Sequence, residues 1–413
     1  MKIAIDLRPL QLGHQNRGIG SYLINIMKYF PNDKTEYIFL RFDESNPIID
    51  YSIGADKQYS EIIYKKVKFN KSLKGTILFG LNIFRPKFTE LINQQPDIFF
   101  QPDYLLGIPK SHRIITIIVS YDLIPIIFKD LYLPSWKKFW RLHNLRFRKR
   151  LLMSIRAYYY EKKHQKGIKT LRKVDKIISI SNTTTDDLVD VAKVNKNKIS
   201  TIYLAPSFAD NYHIDSSVII TKLVNEIDGK YLIFIGGTDQ RRKVGELVYA
   251  FNLLNARGHD INLVLAGNEF VENSSELENT VKKDIESSSY KDKIHMLGKI
   301  SESDKSMLLK HAFAFVYPTL YEGFGLPILE SMASSCPVIL FENKATKETA
   351  VDAAEYTKTM DGLGIFESVV KLIDSNKRRK MLIDKGLARS KNYSWDKAGH
   401  ETMKIIFNAK NIN

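Results

Sequence analysis

The sequence of 413 residues contains a single cysteine, Cys336, which excludes an internal disulfide and a cysteine-based structural zinc site. Glycine and proline are also few, at 21 and 13 residues, which excludes a collagen-like or proline-rich chain. No stretch approaches the ~18 uncharged apolar residues of a membrane-spanning helix. Asp6 and Arg8 interrupt the first apolar run too early for a signal peptide. We therefore expect a globular, cytoplasmic protein.

Motifs for metal or nucleoside-triphosphate binding are missing as well. The histidines include no HxH, HxxxH or HExxH spacing, so zinc is not expected. The sequence contains neither an Asp-x-Asp segment of the kind that holds a metal–diphosphate nor a GxxxxGKS or GxxxxGKT loop. It therefore predicts no metal and no cofactor.

What the chain does have is an excess of positive charge. Lysine and arginine number 62 against 46 aspartates and glutamates, a formal net charge of +16. The segment from Lys137 to Lys173 holds fourteen basic residues and one acidic residue, a net charge of +13 by itself. This excess predicts an anionic partner: phosphate groups, an anionic lipid surface or nucleic acid.

Short apolar runs alternate with longer segments of helical periodicity. The runs that predict strands are KIAID, YIFLRF, DIFFQ, IITIIVSYD and KIISIS, followed by YLIFIGG, INLVLAG, KIHML, AFVYP and CPVILF. Continuous apolar runs of this length suit parallel strands that are buried on both faces. The alternation therefore predicts an α/β protein with parallel sheets.

The strand–helix series restarts after a polar stretch at 207–217. We therefore predict two Rossmann-like domains, 1–208 and 209–394, with a last helix at 395–413 that packs back on the first domain. Ligands of such sheets lie at the carboxyl ends of the strands, so the two domains are expected to face one another across a ligand cleft.

The most informative segment is PTLYEGFGLPILES, which follows the predicted strand AFVY. Glu322 and Glu330 are separated by seven residues, with Gly323 and Gly325 between them. Proline favours the first turn of a helix, so Pro327 predicts that a helix starts there. Glycines let backbone amides approach a ligand, and a helix N-terminus attracts phosphate. The alternative is a plain strand–loop–helix connection with two solvated glutamates.

This segment resembles the signature of the retaining group 1 glycosyltransferases of family 4, which have the GT-B fold of two Rossmann-like domains. Weaker similarities extend along nearly the whole chain, in RGIGSY, IVSYDLIP, SISNTTTDDL, FIGGTDQRRKV and YSWDKAG. The resemblance implies metal-independent transfer from a nucleotide-sugar donor, bound by the second domain, to an acceptor bound by the first.

The resemblance also implies roles for the residues of this segment. Glu330 is expected to hold the ribose hydroxyls of the donor, and Glu322 is expected to act in catalysis through a hydroxyl of the donor sugar. The backbone of the loop between them is expected to contact the sugar and the phosphates, at Gly323, Phe324, Gly325 and Leu326.

Electrostatics favour a phosphate-binding role for the basic cluster after the strand YLIFIGG. Fixed cations stabilise the charge that grows on a departing nucleoside diphosphate, and arginine forks match phosphate oxygens. The family has Arg then Lys here, which corresponds to Arg241 and Arg242, and a one-residue slip would make the pair Arg242 and Lys243. Gly237 just before them is expected to lie beside the phosphates. A solvated loop is the alternative.

Three residues of the first domain complete the predicted site. Gly18 resembles the family glycine whose amide approaches the donor phosphates, and a helix-start turn is the alternative. Tyr121 stands where many family members have histidine. Because tyrosine titrates near pH ~10, hydrogen bonding or stacking is expected of it rather than proton transfer. Asp122 is expected to orient the acceptor or an arginine, and a structural role is the alternative.

The basic stretch mixes cations with aromatic side chains, which is typical of helices that lie on anionic membranes. We predict a surface for the membrane or the acceptor at Trp136, Lys137, Lys138, Trp140, Arg141, Arg146, Arg148 and Lys149. A solvated helical face is one alternative. A nucleic-acid surface is another, but no recognition motif supports it.

The sequence thus predicts a transferase that moves a hexose or deoxyhexose to a growing, lipid-linked cell-surface glycan such as O-antigen or capsule. GDP-mannose is the expected donor, with dTDP-rhamnose and UDP-sugars as alternatives. The alternative of another class is an inactive transferase fold that binds membranes or nucleic acid. The enzyme is expected at the cytoplasmic face of the membrane.

Overall fold

The structure is a computed structural model that describes residues 1–12, 18–31, 34–43, 59–64, 88–133, 137, 140, 147–206, 217–227, 230–271 and 279–410. The chain divides into two compact units. Unit 1 comprises Met1–Tyr203 with Trp395–Asn413, and unit 2 comprises Leu204–Ser394. Within the described ranges, no helix has both the length and the apolar character that crossing a bilayer requires.

Unit 1 is built on a parallel sheet. Its strands are β1 (Lys2–Asp6), β2 (Glu36–Phe42), β3 (Tyr59–Tyr64), β4 (Ile98–Gln101), β5 (Ile115–Ser120), β6 (Lys176–Ser179) and β7 (Ile199–Thr201). Their order is β3-β2-β1-β4-β5-β6-β7. Ile3, Phe99 and Ile117 in the central strands are fully buried, as expected when helices cover both faces of a parallel sheet.

The helices of unit 1 differ greatly in length. They are α1 (Gly18–Met27), α2 (Thr89–Asn93), α3 (Ile124–Ile127), α4 (Lys129–Tyr132), α5 (Phe147–Lys173) and α6 (Asn182–Asp190). Helix α6 begins after Ser181, whose hydroxyl caps it by accepting from the Thr184 amide at 2.9 Å.

Unit 2 repeats the same architecture. Its strands are β8 (Tyr231–Ile235), β9 (Asn262–Ala266), β10 (Ile294–Gly298), β11 (Ala314–Tyr317), β12 (Val338–Leu340) and β13 (Glu355–Tyr356), in the order β10-β9-β8-β11-β12-β13. All the paired strands are parallel. The order reverses between β8 and β11, and such a switch point is where doubly wound sheets bind ligands.

The helices of unit 2 alternate with its strands. They are α7 (Val218–Ile227), α8 (Val244–Ala256), α9 (Asn279–Glu286), α10 (Glu302–His311), α11 (Leu326–Ala333), α12 (Lys344–Ala350), α13 (Gly362–Ile373) and α14 (Asn376–Ser390). Helix α11 contains Pro327 in its first turn, as the sequence predicted. It ends before Ser335, which adopts a left-handed φ of 59° where glycine is the usual residue.

The last helix, α15 (Trp395–Lys410), belongs to unit 1 and packs against α1. The hydroxyls of Tyr22 and Thr402 lie 3.1 Å apart, and the Trp395 ring meets the Tyr22 ring edge-on at 6.4 Å. The prediction of an α/β protein with parallel sheets is confirmed in both units.

Candidate active site

The candidate site lies at the switch point of unit 2. One loop, 236–243, leaves β8 and contains a 3-10 turn at Gln240–Arg242. The other loop, 318–325, leaves β11 and leads into α11. The two loops are joined by the Leu320 amide, which donates to the Arg241 carbonyl at 2.8 Å. The sequence motifs around Glu322 and Arg241 therefore meet at the edge where such sheets bind ligands.

Glycines make the β8 loop compact. A Cβ on Gly236 would lie 2.5 Å from the Arg242 guanidinium, so a side chain there would displace Arg242. A Cβ on Gly237 would lie 3.0 Å from a carboxylate oxygen of Glu269, which accepts from the Thr238 amide at 2.6 Å. Gly237, which is predicted to lie beside the phosphates, is therefore close to the side chains of both Arg242 and Glu269.

The Glu322 carboxylate is the centre of the site. Its Oε1 accepts from the Tyr317 hydroxyl at 2.8 Å and from Arg241 Nη1, and the Thr319 hydroxyl lies 3.1 Å away. No described residue donates a hydrogen bond to Oε2 of Glu322. One oxygen is therefore anchored to the protein, and the other can accept from a ligand.

The two predicted arginines have different surroundings. Arg241 is buried, and besides Glu322 its guanidinium meets Asp239 at 3.2 Å, the Thr319 hydroxyl and the Tyr321 carbonyl. Arg242 Nε is buried and has no hydrogen-bond partner in the described structure, although carboxylate oxygens of Asp239 and Glu322 lie 3.4 and 3.7 Å away. Arg241 is thus engaged with Glu322, whereas Arg242 keeps unused donor capacity. Lys243 follows in a left-handed conformation and caps the turn.

Electrostatics hold Glu322 in its charged form. Burial raises the pKa of the Glu322 carboxyl, but the charges of Arg241 and Arg242 and the hydrogen bonds from Arg241 and Tyr317 outweigh burial and lower that pKa below its usual value. The side chain is therefore a carboxylate at neutral pH. A carboxylate is an acceptor only, which suits recognition of a hydroxyl or stabilisation of positive charge.

The loop between the two glutamates has a fixed backbone. Gly325 has a φ of 111°, which favours glycine, and it is the residue before α11. The Phe324 ring packs edge-on against Tyr393 at 5.7 Å, and the Phe324 carbonyl accepts from the Thr349 hydroxyl. Gly323 precedes these residues, and Leu326 opens the helix. The predicted phosphate- and sugar-binding loop is therefore held by Thr349 of α12 and by Tyr393, which follows α14.

Glu330 lies on α11 and is almost fully buried. Its Oε1 accepts from Lys305 Nζ at 2.9 Å, and Lys305 also meets Glu302 at 2.9 Å. Burial lowers the pKa of Lys305, but Glu330 and Glu302 outweigh burial and raise it, so the lysine stays charged. Sequence reasoning missed Lys305, because nothing in the α10 pattern distinguishes it from a solvated lysine.

The predicted residues of unit 1 lie after the strands β1 and β5. Gly18 is the first residue of α1. The Tyr121 hydroxyl is buried and has no hydrogen-bond partner among the described residues, and its ring meets Tyr22 edge-on at 6.0 Å. Asp122 accepts from the Ile124 amide at 3.0 Å at the start of α3, which is a structural contact.

A buried polar network at the switch point of unit 1 was also missed. Asp6, at the end of β1, accepts from Arg8 Nε at 2.8 Å and from Gln101 Nε2 at 2.7 Å. The Arg8 guanidinium lies 4.6 Å from the centre of the Tyr64 ring. The signal of this network in the sequence is a pair of charges at the end of an apolar strand: Asp6 is the last residue of KIAID, and Arg8 follows two residues later.

The predicted basic surface is described only in part. Trp136, Lys138, Arg141 and Arg146 lie outside the described residues. Lys137 is exposed, the Arg150 guanidinium lies 5.5 Å from the Trp140 ring, and Arg148 and Lys149 are in the first turn of α5. Among the described residues, no group of three or more His, Cys, Asp or Glu side chains could hold a metal ion.

Comparison with known proteins identifies first the fold and then the family. The Anabaena protein HepE, solved with UDP and glucose, is similar to the chain with a TM-score of 0.70 at 12% identity, over 98% of this chain and 99% of that one. The fold is therefore GT-B, as predicted. The family model of glycosyl transferases group 1 matches residues 217–389. The match covers nearly all of unit 2, and the predicted resemblance to the group 1 glycosyltransferases is confirmed.

Among curated proteins, the chain is similar to two O-antigen chain mannosyltransferases. Identity to that of Escherichia coli is 28%, over 42% of this chain and 44% of the relative. Identity to that of Salmonella typhimurium is 22%, over 50% of this chain and 52% of the relative. The chain thus spans about half the length of the curated relatives it matches.

Proposed function

We propose that the protein is a retaining glycosyltransferase that moves a hexose or deoxyhexose from a nucleotide sugar to a growing cell-surface glycan. The first candidate for the donor is GDP-mannose. The observation that carries the proposal is the Glu322 carboxylate at the switch point of unit 2, with one oxygen anchored and the other available. The names of the two mannosyltransferase relatives support the sugar and the glycan.

In the proposed mechanism, the unused donors of Arg242 meet the diphosphate of the donor. Cleavage of the bond between the sugar and the diphosphate places negative charge on the leaving group, and a fixed guanidinium stabilises it without reorganisation. Oε2 of Glu322 accepts from a hydroxyl of the sugar and faces the positive charge that develops on the ring. Glu330 holds the ribose, and the acceptor binds unit 1 near Tyr121.

The nucleotide of the donor has three candidates, of which GDP is the first. A UDP-sugar is the second candidate, because the structurally similar HepE holds UDP. A dTDP-sugar such as dTDP-rhamnose remains a third. The acceptor is proposed to be a glycan or a saccharide linked to a lipid diphosphate at the cytoplasmic face of the membrane, and no metal is proposed to take part.

Thermal unfolding in the presence of GDP, UDP, dTDP and ADP tests the donor. A nucleotide at a hundred times its dissociation constant stabilises the folded state by about 2.7 kcal/mol, so the correct one raises Tm most. GDP is expected to do so. Arg242→Met should abolish the shift, and Arg257→Met, which removes an exposed arginine of the same unit, should not.

A transfer assay with the matching nucleotide sugar then tests the reaction. Activity is expected to survive EDTA, and the product anomer is expected to keep the donor's configuration. Stabilisation by none of the four nucleotides would contradict the proposal. Activity that EDTA abolishes and Mn²⁺ restores would contradict its metal-independent form.

A further inference from the structure

We propose that Tyr317 is a positioning residue for Glu322, whose hydroxyl anchors Oε1 of the carboxylate so that Oε2 is presented to the substrate. This inference rests on the proposed function, because it assigns Tyr317 to the same site and the same reaction. The experiment below is chosen so that the two can fail separately.

The hydrogen bonds to Glu322 are concentrated on one of its two carboxylate oxygens. A carboxylate oxygen has about two lone-pair sites, and Oε1 has the Tyr317 hydroxyl at 2.8 Å, Arg241 Nη1 and the Thr319 hydroxyl around it. Oε1 is therefore saturated by the protein. Since no described residue donates to Oε2, that oxygen is the one with capacity for a sugar hydroxyl.

The donors to Oε1 other than Tyr317 also serve other acceptors. Arg241 Nη1 also meets the Thr319 hydroxyl and the Tyr321 carbonyl, and the single proton of Thr319 is divided between Glu322 and the Tyr321 carbonyl at 2.9 Å. The Tyr317 hydroxyl donates to Glu322 alone. Among these donors, Tyr317 is therefore the one whose hydrogen bond is committed to the carboxylate.

The Tyr317 side chain is held rigidly. Tyr317 is the last residue of β11 and is buried, and its ring stacks on the rings of Phe234, at 5.9 Å, and Phe315, at 5.4 Å. Burial raises the pKa of Tyr317 well above its usual value, more than Arg241 and Arg242 lower it, so the hydroxyl keeps its proton at neutral pH. A donor already locked in place orients its acceptor without further loss of side-chain entropy.

The test is Tyr317→Phe, which removes one oxygen atom and keeps the stacked ring. The matched control is Tyr231→Phe, which removes another buried tyrosine hydroxyl of the same sheet, one that donates to the Leu308 carbonyl at 2.6 Å. We expect Tyr317→Phe to lower kcat about tenfold, the usual worth of a hydrogen bond to a charged group, with the donor KM changed less than about twofold. The control should change neither.

A second readout separates positioning from general destabilisation. Loss of the Tyr317 donor should raise the pKa of Glu322, so the acid limb of the kcat–pH profile should move to higher pH. The same shift should be seen directly by NMR on protein labelled with ¹³C at the glutamate carboxyls, in the resonance that is absent from Glu322→Gln.

The outcomes are distinct. Unchanged kcat and an unchanged Glu322 titration in Tyr317→Phe would overturn the positioning role, as would an equal loss of kcat in Tyr231→Phe. If the wild-type protein transfers sugar from none of the nucleotide sugars, the proposed function fails instead. The NMR titration needs no turnover, so in that case it alone decides whether the Tyr317 hydroxyl lowers the pKa of Glu322.

Discussion

At the scale of single residues, each glutamate of the motif has a cation of its own. Glu322 is paired with Arg241, and Glu330 with Lys305. Buried ion pairs contribute little net stability, because desolvation offsets the attraction. Two such pairs, one between the loops after β8 and β11 and one between helices α10 and α11, are therefore better explained by the charge that the site needs than by the stability of the fold.

The variants Glu322→Gln and Glu330→Gln should separate catalysis from donor binding. Gln at 322 keeps an oxygen but loses the charge, so turnover should fall more than donor affinity does, as expected for a contact that strengthens in the transition state. Gln at 330 should weaken donor binding by about 1.5–3 kcal/mol, the range for hydrogen bonds to a charged group. Steady-state kinetics and nucleotide titration measure the two effects.

Glu355→Gln is the control for these variants. Glu355 is another buried glutamate of unit 2, paired with Lys371 and Arg378 at the edge strand β13. Its substitution should lower Tm and leave KM and kcat near the wild-type values. Equal losses of kcat and KM in Glu322→Gln, Glu330→Gln and Glu355→Gln would mean that the site glutamates affect activity only through the stability of the folded protein.

The residues that the sequence did not reveal share one property. Glu322, Arg241 and Arg242 were predictable because each stands in a local motif directly after an apolar strand. Lys305 belongs to the site only because it binds Glu330, which is 25 residues away in the chain. Gln101 belongs to the buried network only because it binds Asp6, which is 95 residues away. Such pairs are created by tertiary packing, which no local pattern encodes.

At the scale of elements, the buried central strands and the edge strand β10 were predictable from their apolar runs, whereas the edge strands β3 and β13 were not. Central strands such as β8 are uninterrupted apolar runs, because both of their faces are covered. Strand β3 at the edge of its sheet reads YSEIIY, with most of its residues partly or fully exposed, and β13 has only two residues. Edge strands lack the two-sided burial that makes a continuous apolar run.

Helix α5 offers a prediction at the same scale, on stability against pH. His164 is buried, and its Nδ1 has no hydrogen-bond partner in the part of the chain that the structure describes. Burial together with the charge of Lys163 lowers its pKa to about 4. The unfolded chain binds this proton near pH ~6.5. Stability should therefore fall as pH drops from ~6.5 towards 4, by up to about 3 kcal/mol from this group.

Urea unfolding of wild type and His164→Leu at pH 7 and pH 5 measures this effect. The variant should lose less stability than wild type between the two pH values. His400→Leu is the control, since that side chain is 71% exposed, and it should keep the wild-type pH dependence. Parallel pH profiles for wild type and His164→Leu would contradict a neutral, buried His164.

At the scale of the whole molecule, positive charge is concentrated rather than spread. The segment 137–173 accounts for +13 of the net +16. Helix α5 within it also exposes aromatic side chains, since Tyr158 and Tyr160 are 43% and 42% exposed. Charge and exposed aromatic rings on one element favour an anionic lipid surface over a merely solvated face.

The last prediction is that the protein binds vesicles containing anionic lipid. Each basic residue close to such a surface contributes roughly 1 kcal/mol, and screening over about 8 Å at physiological salt means that high salt should release the protein. Co-sedimentation should fall when six residues are replaced by serine: Lys137, Lys138, Arg141, Arg146, Arg148 and Lys149. A control of equal charge replaces six exposed lysines elsewhere: Lys230, Lys291, Lys310, Lys377, Lys380 and Lys404. If both variants lose binding equally, net charge alone is responsible and the basic stretch is no specific membrane surface.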